Sequence, residues 1–192
     1  MTIHVEHVIL DRDGVLNLEP PDDGYVTDWS EWRWIPGALE GLRLLHAAGI
    51  RVSVATNQAG IGRGVIDRAA VEAIHAHMVD EATRAGGAIE RVLVCPHAPE
   101  TGCDCRKPAP GLLVQAIEAS GVPHQATLAV GDDLRDLEAA WAARVPPILL
   151  RTGKGRLTEQ TVMAQEISTF ADLLAFALAV SSRAIPQARA RS

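Results

Sequence analysis

Five short apolar runs alternate with stretches of helical periodicity along the 192 residues, and that alternation leaves few folds open. Residues Val5 to Leu10, Ile50 to Ala55, Ile89 to Val94, Thr127 to Val130 and Ile148 to Leu150 read as buried strands. Between them, apolar side chains recur at helical spacing: Leu39, Leu42 and Leu45, then Val71, Ile74, Met78 and Ala82, then Leu112, Leu113, Ala116 and Ile117, then Leu134, Leu137 and Trp141. Pro36-Gly37 opens the first helix and Asp67 caps the second, while Gly49, Gly86-Gly87 and Gly121 mark helix ends. A last helix is expected after Ser168. Strands joined through helices must run parallel, with right-handed crossovers. The expectation is an α/β fold: a three-layer, doubly wound, Rossmann-like parallel sheet. A chain of this length buries roughly 70% of its unfolded surface, enough for one core. One domain over residues 1–180 and a flexible tail over 181–192 are expected.

In doubly wound sheets, ligands bind beyond the carboxyl ends of the strands. The residues that follow the apolar runs are therefore the functional candidates. They are Asp11-Arg12-Asp13-Gly14, Thr56-Asn57-Gln58, Cys95-Pro96-His97 and Gly131-Asp132-Asp133. Asp11 and Asp13 are two apart and would project to one side of an extended segment. With Asp132 they form a cluster of carboxylates that needs a cation, and oxygen-rich, partly open sites suit Mg²⁺. Lys107 could neutralise a phosphate as a point charge, and the Thr56 hydroxyl could donate to it.

The net charge is −6, and no basic stripe of the kind nucleic acid requires is present. No export or membrane-spanning signal is read, so a cytoplasmic location without a membrane partner is expected. All three cysteines lie within residues 95–105, too few and too close for a disulfide framework. Cys95, His97, Cys103 and Cys105 offer three thiolates and an imidazole, a ligand set that matches a closed structural Zn²⁺ site. Such a clamp would aim the adjacent Lys107. His75 and His77 are expected on the surface, and Trp29, Trp32 and Trp34 as anchors that pin a loop to the body.

Asp11-x-Asp13-Gly14, Thr56-Asn57-Gln58, Arg106-Lys107-Pro108 and Gly131-Asp132 resemble, in order, the four motifs of haloacid dehalogenase-like phosphatases. The resemblance spans about residues 5–155. It implies Asp11 as the nucleophile of an aspartyl-phosphate intermediate and Asp13 as the general acid/base. It also implies that Thr56 and Lys107 hold the phosphoryl group. The Asp11 side chain, the Asp13 backbone carbonyl and Asp132 would bind Mg²⁺. No role is carried over to Asp133. The intervals 14–55 and 59–105 leave no room for an inserted cap domain, so a capless enzyme is expected.

Within this family, a capless core with a C-x-H…C-x-C loop is similar to two kinds of phosphatase, one acting on a heptose 1,7-bisphosphate and one on histidinol phosphate. The segments 11–17, 24–26 and 56–64 resemble the heptose branch, which supplies activated heptose for surface glycans. The longer Glu19 to Asp23 stretch is closer to the histidinol branch. The resemblance implies a small phosphorylated sugar as partner, with Asp22, Asp23, Gly24, Tyr25, Asn57, Gln58, Arg63 and Arg106 around it. Arg106 is expected to reach the distal end of the substrate. A polynucleotide 3′-phosphatase and a zinc-stabilised binding module without turnover are the remaining alternatives. A monomer is expected.

Overall fold

A computed structural model describes residues 4–20, 24–161 and 167–182. Six parallel strands form one sheet in the order β3-β2-β1-β4-β5-β6: β1 (His7–Leu10), β2 (Arg51–Asn57), β3 (Arg91–Cys95), β4 (Thr127–Gly131), β5 (Pro147–Leu150) and β6 (Ser168–Phe170). Five strands were expected from the sequence. The sixth, Ser-Thr-Phe, is too short and too polar to stand out as an apolar run, and the final helix starts after it. Helices α1 (Ala38–Ala47), α2 (Ala59–Gly62), α3 (Arg68–Arg84), α4 (Gly111–Ser120), α5 (Leu134–Ala142), α6 (Gly155–Thr158) and α7 (Leu173–Ser181) connect or flank the strands. Helix α7 runs to Ser181. Residues 183–192, most of the expected tail, lie outside the described residues.

Alternation along β1 divides the interior in two. Val8 and Leu10 join Leu42, Leu45, Ile74, Met78 and Phe176 from α1, α3 and α7 on one face of the sheet. Ile9, between them, joins Leu112, Leu113, Ala116, Ala139 and Ala140 from α4 and α5 on the other. The caps follow the sequence pattern. Asp67 accepts a hydrogen bond from the Ala70 N–H at 2.7 Å, and Gly49 takes a left-handed φ of 72° just past α1. The tryptophans do pin their loop to the body. Trp32 is buried, Trp29 stacks on it with centroids 5.3 Å apart, and the Trp34 indole N–H donates to Glu81 on α3 at 2.6 Å.

Strand order reverses between β1 and β4, because the chain steps outward through β2 and β3 before crossing back. His7 is in register with both Arg51 of β2 and Thr127 of β4. The carboxyl ends of β1 and β4 therefore lie side by side, which puts the loops bearing Asp11 and Asp132 next to each other. Among the described residues, no added domain stands over this point, and no helix is long and apolar enough to cross a membrane.

At the opposite end of β1, His7 is fully buried, with Nε2 2.9 Å from the Ser53 hydroxyl. Burial, helped by the Arg51 charge, pushes its pKa down to about 4. The unfolded chain thus takes up this proton near pH 6.5, whereas the folded one resists until about pH 4. Its contribution to stability is complete above pH 6.5 and is lost as pH falls toward 4. Thermal melts across that window should show a falling Tm, and His7→Gln should flatten the slope; an unchanged slope in the variant would contradict the assignment.

Candidate active site

Asp11 leaves β1 at the reversal point, and its Oδ1 accepts from the Arg12 N–H at 2.6 Å and from Lys107 Nζ at 2.9 Å. Lys107 Nζ also lies 2.6 Å from Asp136 Oδ1. Asp132, at the end of β4, is buried and accepts from the Lys154 N–H at 2.7 Å. Carboxylate oxygens of Asp11, Asp132 and Asp136 all lie within 4.8 Å of one another. Burial and the neighbouring carboxylates push Asp11 up to about 7 despite the pull of Lys107, and burial with Asp136 and Asp11 raises Asp132 well above the usual range. Burial works against the charge on Lys107, but Asp11 and Asp136 outweigh it and hold the ammonium above its ordinary value. A crowd of hard oxygens that a dication would relieve fits a divalent metal. Gly14, with φ of 80°, and Gly153, with φ of 49°, pack directly against Asp132, where any side chain would run into its carboxylate.

Asp136 did not stand out in the sequence. It sits four residues after Asp132 on the first turn of α5, which brings its carboxylate back toward the strand end. Its Oδ2 accepts from the Asp132 and Asp133 N–H groups at 3.2 and 3.0 Å, so both of its oxygens are engaged and it acts as the holder of Lys107. Asp133 is the N-cap of α5, with Asp136 as the reciprocal partner of its capping box.

Asp13 is gripped from three directions. Arg12 donates through Nη2 to both oxygens at 2.8 and 2.9 Å, Asn17 donates to Oδ1 at 2.9 Å, and Gln58 donates to Oδ2 at 2.9 Å. Burial would raise the pKa of Asp13, but Arg12 and these donors pull it below the usual value. Gln58 was expected to meet substrate; it is buried and spends its amide on Asp13 and on Thr56 Oγ1, at 2.9 Å each. Because Thr56 Oγ1 accepts there, its own hydrogen is left to donate. The expectation that His75 lies on the surface is corrected. It is buried, with Nε2 3.0 Å from Arg12 Nη1, whereas His77 stacks on Trp29. On α3, His75 follows Val71 by four residues and precedes Met78 by three, and so shares their buried face.

Asn57 fixes the backbone of Lys107. Its amide donates to the Lys107 carbonyl at 3.0 Å and accepts from the Lys107 N–H at 3.1 Å. On the other side of Lys107, Cys95, His97, Cys103 and Cys105 converge. Cys105 Sγ lies 3.3 Å from Cys95 Sγ, 3.5 Å from Cys103 Sγ and 3.3 Å from His97 Nδ1, and Cys95 and Cys103 are 3.8 Å apart. Thiolates bonded at about 2.3 Å to a tetrahedral metal stand roughly 3.8 Å apart. The four donors are gathered closely enough that they could hold such a metal.

A cleft of about 330 Å³ opens above these groups, lined by Asp11, Asp13, Thr56, Asn57 and Lys107 and rimmed by Gly24, Tyr25, Arg63 and Arg106. The Tyr25 hydroxyl accepts from Arg63 at 2.8 Å, and Arg106 donates to the His97 carbonyl at 3.3 Å. Arg135 and Lys154, which the sequence analysis did not single out, add two more cations, paired with Asp133 and Glu19. Asp22 and Asp23, also expected at the substrate, lie outside the described residues.

Residues 104–175 match the family described as HAD-hydrolase-like. The chain is 44% identical over 173 residues to D-glycero-beta-D-manno-heptose-1,7-bisphosphate 7-phosphatase of Pseudomonas aeruginosa, covering 90% of this chain and 96% of that one. The crystal structure of D,D-heptose 1,7-bisphosphate phosphatase from B. bronchiseptica, complexed with magnesium and phosphate, superposes with a TM-score of 0.87. It is 37% identical, over 93% of this chain and 99% of that one. The structure of the corresponding phosphatase from Burkholderia thailandensis gives a TM-score of 0.69 at 36% identity, over 90% and 96% of the two chains.

The paired bonds from Asn57 to Lys107 make a direct prediction. Asn57→Ala leaves a buried N–H and C=O unmet and should cost about 1–3 kcal/mol in urea denaturation. A loss below a few tenths would show that the loop holds its course without this amide.

Proposed function

The chain belongs to the haloacid dehalogenase-like phosphatases, in the branch of the heptose 1,7-bisphosphate 7-phosphatases, and on that footing we propose that it removes the C7 phosphate of D-glycero-D-manno-heptose 1,7-bisphosphate and leaves heptose 1-phosphate. The observation that carries the reading is the meeting of Asp11, Asp13, Thr56 and Lys107 in one cleft from three separate strand ends. Two N–H donors already engage Asp11 Oδ1, so Oδ2 is the oxygen left to attack phosphorus. As the phosphorus–oxygen bond to the sugar breaks, Asp13 delivers to the departing C7 oxygen a proton that it must first take up from solvent, because Arg12, Asn17 and Gln58 favour its ionised form. It then takes a proton from the water that splits the aspartyl phosphate. The Thr56 hydroxyl and Lys107 ammonium hold the phosphoryl oxygens through both steps.

Asp11, Asp132 and the Asp13 backbone carbonyl would hold Mg²⁺, with Asp136 alongside. Bound there, the ion supplies neutralisation between an anionic nucleophile and an anionic phosphate. Cys95, His97, Cys103 and Cys105 would hold Zn²⁺ as a closed structural site that sets the direction of the following Arg106-Lys107. We read the protein as a monomer of the cytoplasm, whose reducing conditions keep the three thiols free for metal.

Histidinol phosphate remains the chief rival substrate, and the rim bears on the choice. Arg63 and Arg106 line the cleft with no carboxylate paired to either among the described residues. Two such cations suit a second phosphate and oppose the cationic amine of histidinol phosphate. Phosphate release should therefore give a higher kcat/KM for the heptose bisphosphate, with Asp11→Asn inactive on both; equal or better turnover of histidinol phosphate would overturn the substrate assignment. For the zinc loop, freshly purified protein should carry one zinc per chain by elemental analysis. Cys105→Ser should lose it and melt at a lower temperature, because folding and binding are coupled at such sites.

A further inference from the structure

Arg12 lies between the two aspartates of the first loop, yet only 1% of it is exposed. A guanidinium keeps its charge and tolerates burial only when its donors are met. Nε and Nη2 serve Asp13, and Nη1 lies 3.0 Å from His75 Nε2. Since a guanidinium has no acceptor, His75 Nε2 must accept, which places the imidazole proton on Nδ1. The Trp32 ring packs 5.8 Å from the guanidinium carbon. The recess beside His75 is lined by Ile61, Val71, Val92 and Val94 together with Arg68 and Glu72, and the Glu72 carboxylate lies 4.0 Å from Arg68, while the partner of Arg12 Nη1 is His75.

A helix packed under the sheet thus reaches the acid/base carboxylate through one arginine. We propose that His75 is a positioning residue for proton transfer. By accepting from Arg12 Nη1 it fixes the guanidinium, and the two-oxygen grip of that guanidinium fixes the plane in which Asp13 meets the departing sugar oxygen. The proposal rests on Asp13 being the acid/base, as read above. Proton transfer is sensitive to this plane, because the donor oxygen must sit within hydrogen-bond reach of the oxygen it protonates. Rotation of an untethered Asp13 would lose that geometry without unfolding anything.

The choice of leaving group separates positioning from a general structural role. The ratio kcat/KM covers the steps up to alcohol release. A sugar alkoxide needs its proton there, whereas p-nitrophenolate leaves without one. His75→Leu removes the acceptor while keeping most of the side-chain volume and should lower kcat/KM for the heptose bisphosphate by about tenfold, but for p-nitrophenyl phosphate by less than about twofold. His75→Gln, whose amide oxygen can accept from Arg12, should recover most of the loss. Equal losses on the two substrates, no loss on the sugar, or a Gln variant as poor as the Leu variant would each overturn the proposal. Asp13→Asn run alongside tells which reading fails. If it also loses equally on both substrates, Asp13 is not the acid and both ideas fall. If it discriminates while His75→Leu does not, the positioning role alone is wrong.

Discussion

One buried ammonium holds this site together. Lys107 Nζ sits between Asp11 and Asp136, at 2.9 and 2.6 Å, in a place where Asp132 adds a third carboxylate. Two like charges near 4 Å repel by about 4 kcal/mol at an effective dielectric of 20. Three of them at adjoining strand ends would force apart the loops that carry them. With the lysine between two of them, the cluster is one cation short of balance, the shortfall a divalent metal can make up. The same geometry explains why Asp11 is pushed toward neutrality while Lys107 is held firmly charged.

Such a lysine must arrive at a fixed place, and its own long side chain cannot ensure that. Its backbone does. Asn57, from the neighbouring strand β2, clasps both the N–H and the C=O of Lys107, and the four-donor cluster of residues 95–105 fixes the stretch before it. Anchors on both sides leave the ammonium with little freedom beyond the two carboxylates it touches. Asp13 is held by a parallel logic on the other wall, where Arg12, Asn17 and Gln58 each take a share of its lone pairs. Asp11 and Asp13 thus stand two residues apart in sequence but in opposite electrostatic surroundings, one pushed up by burial and crowding and the other pulled down by a guanidinium.

The α/β alternation, five of the six strands and the residues at their ends could be read from the chain because each rests on a short-range pattern. Buried runs, caps and glycine stops are local properties. Asp136 and His75 escaped for the opposite reason. A helical carboxylate after Gly131-Asp132-Asp133 looks like an ordinary exposed residue until α5 is docked on the strand. The helical face of His75 was available from Val71 and Met78, but its partner Arg12 is 63 residues away and only the fold brings them together. Arg12 itself looked like a spacer between two aspartates. The family resemblance placed Gln58 beside the substrate, yet it is buried and its amide is spent on Asp13 and Thr56, a pairing that only the fold reveals. The strand β6 gave no signal because it borrows its stability from β5.

The close approach of two glycines to Asp132 carries a consequence for how this site can change. At Gly14 and Gly153 the backbone comes so close to Asp132 that a single methyl group would have no space. A side chain at either glycine would have to displace the Asp132 carboxylate. More room for change lies along the walls of the cleft: the stretch after β1, the short helix α2 and the loop of residues 95–106. A lineage descended from this scaffold can redraft those walls while the tightly packed seat of Asp132 is inherited intact.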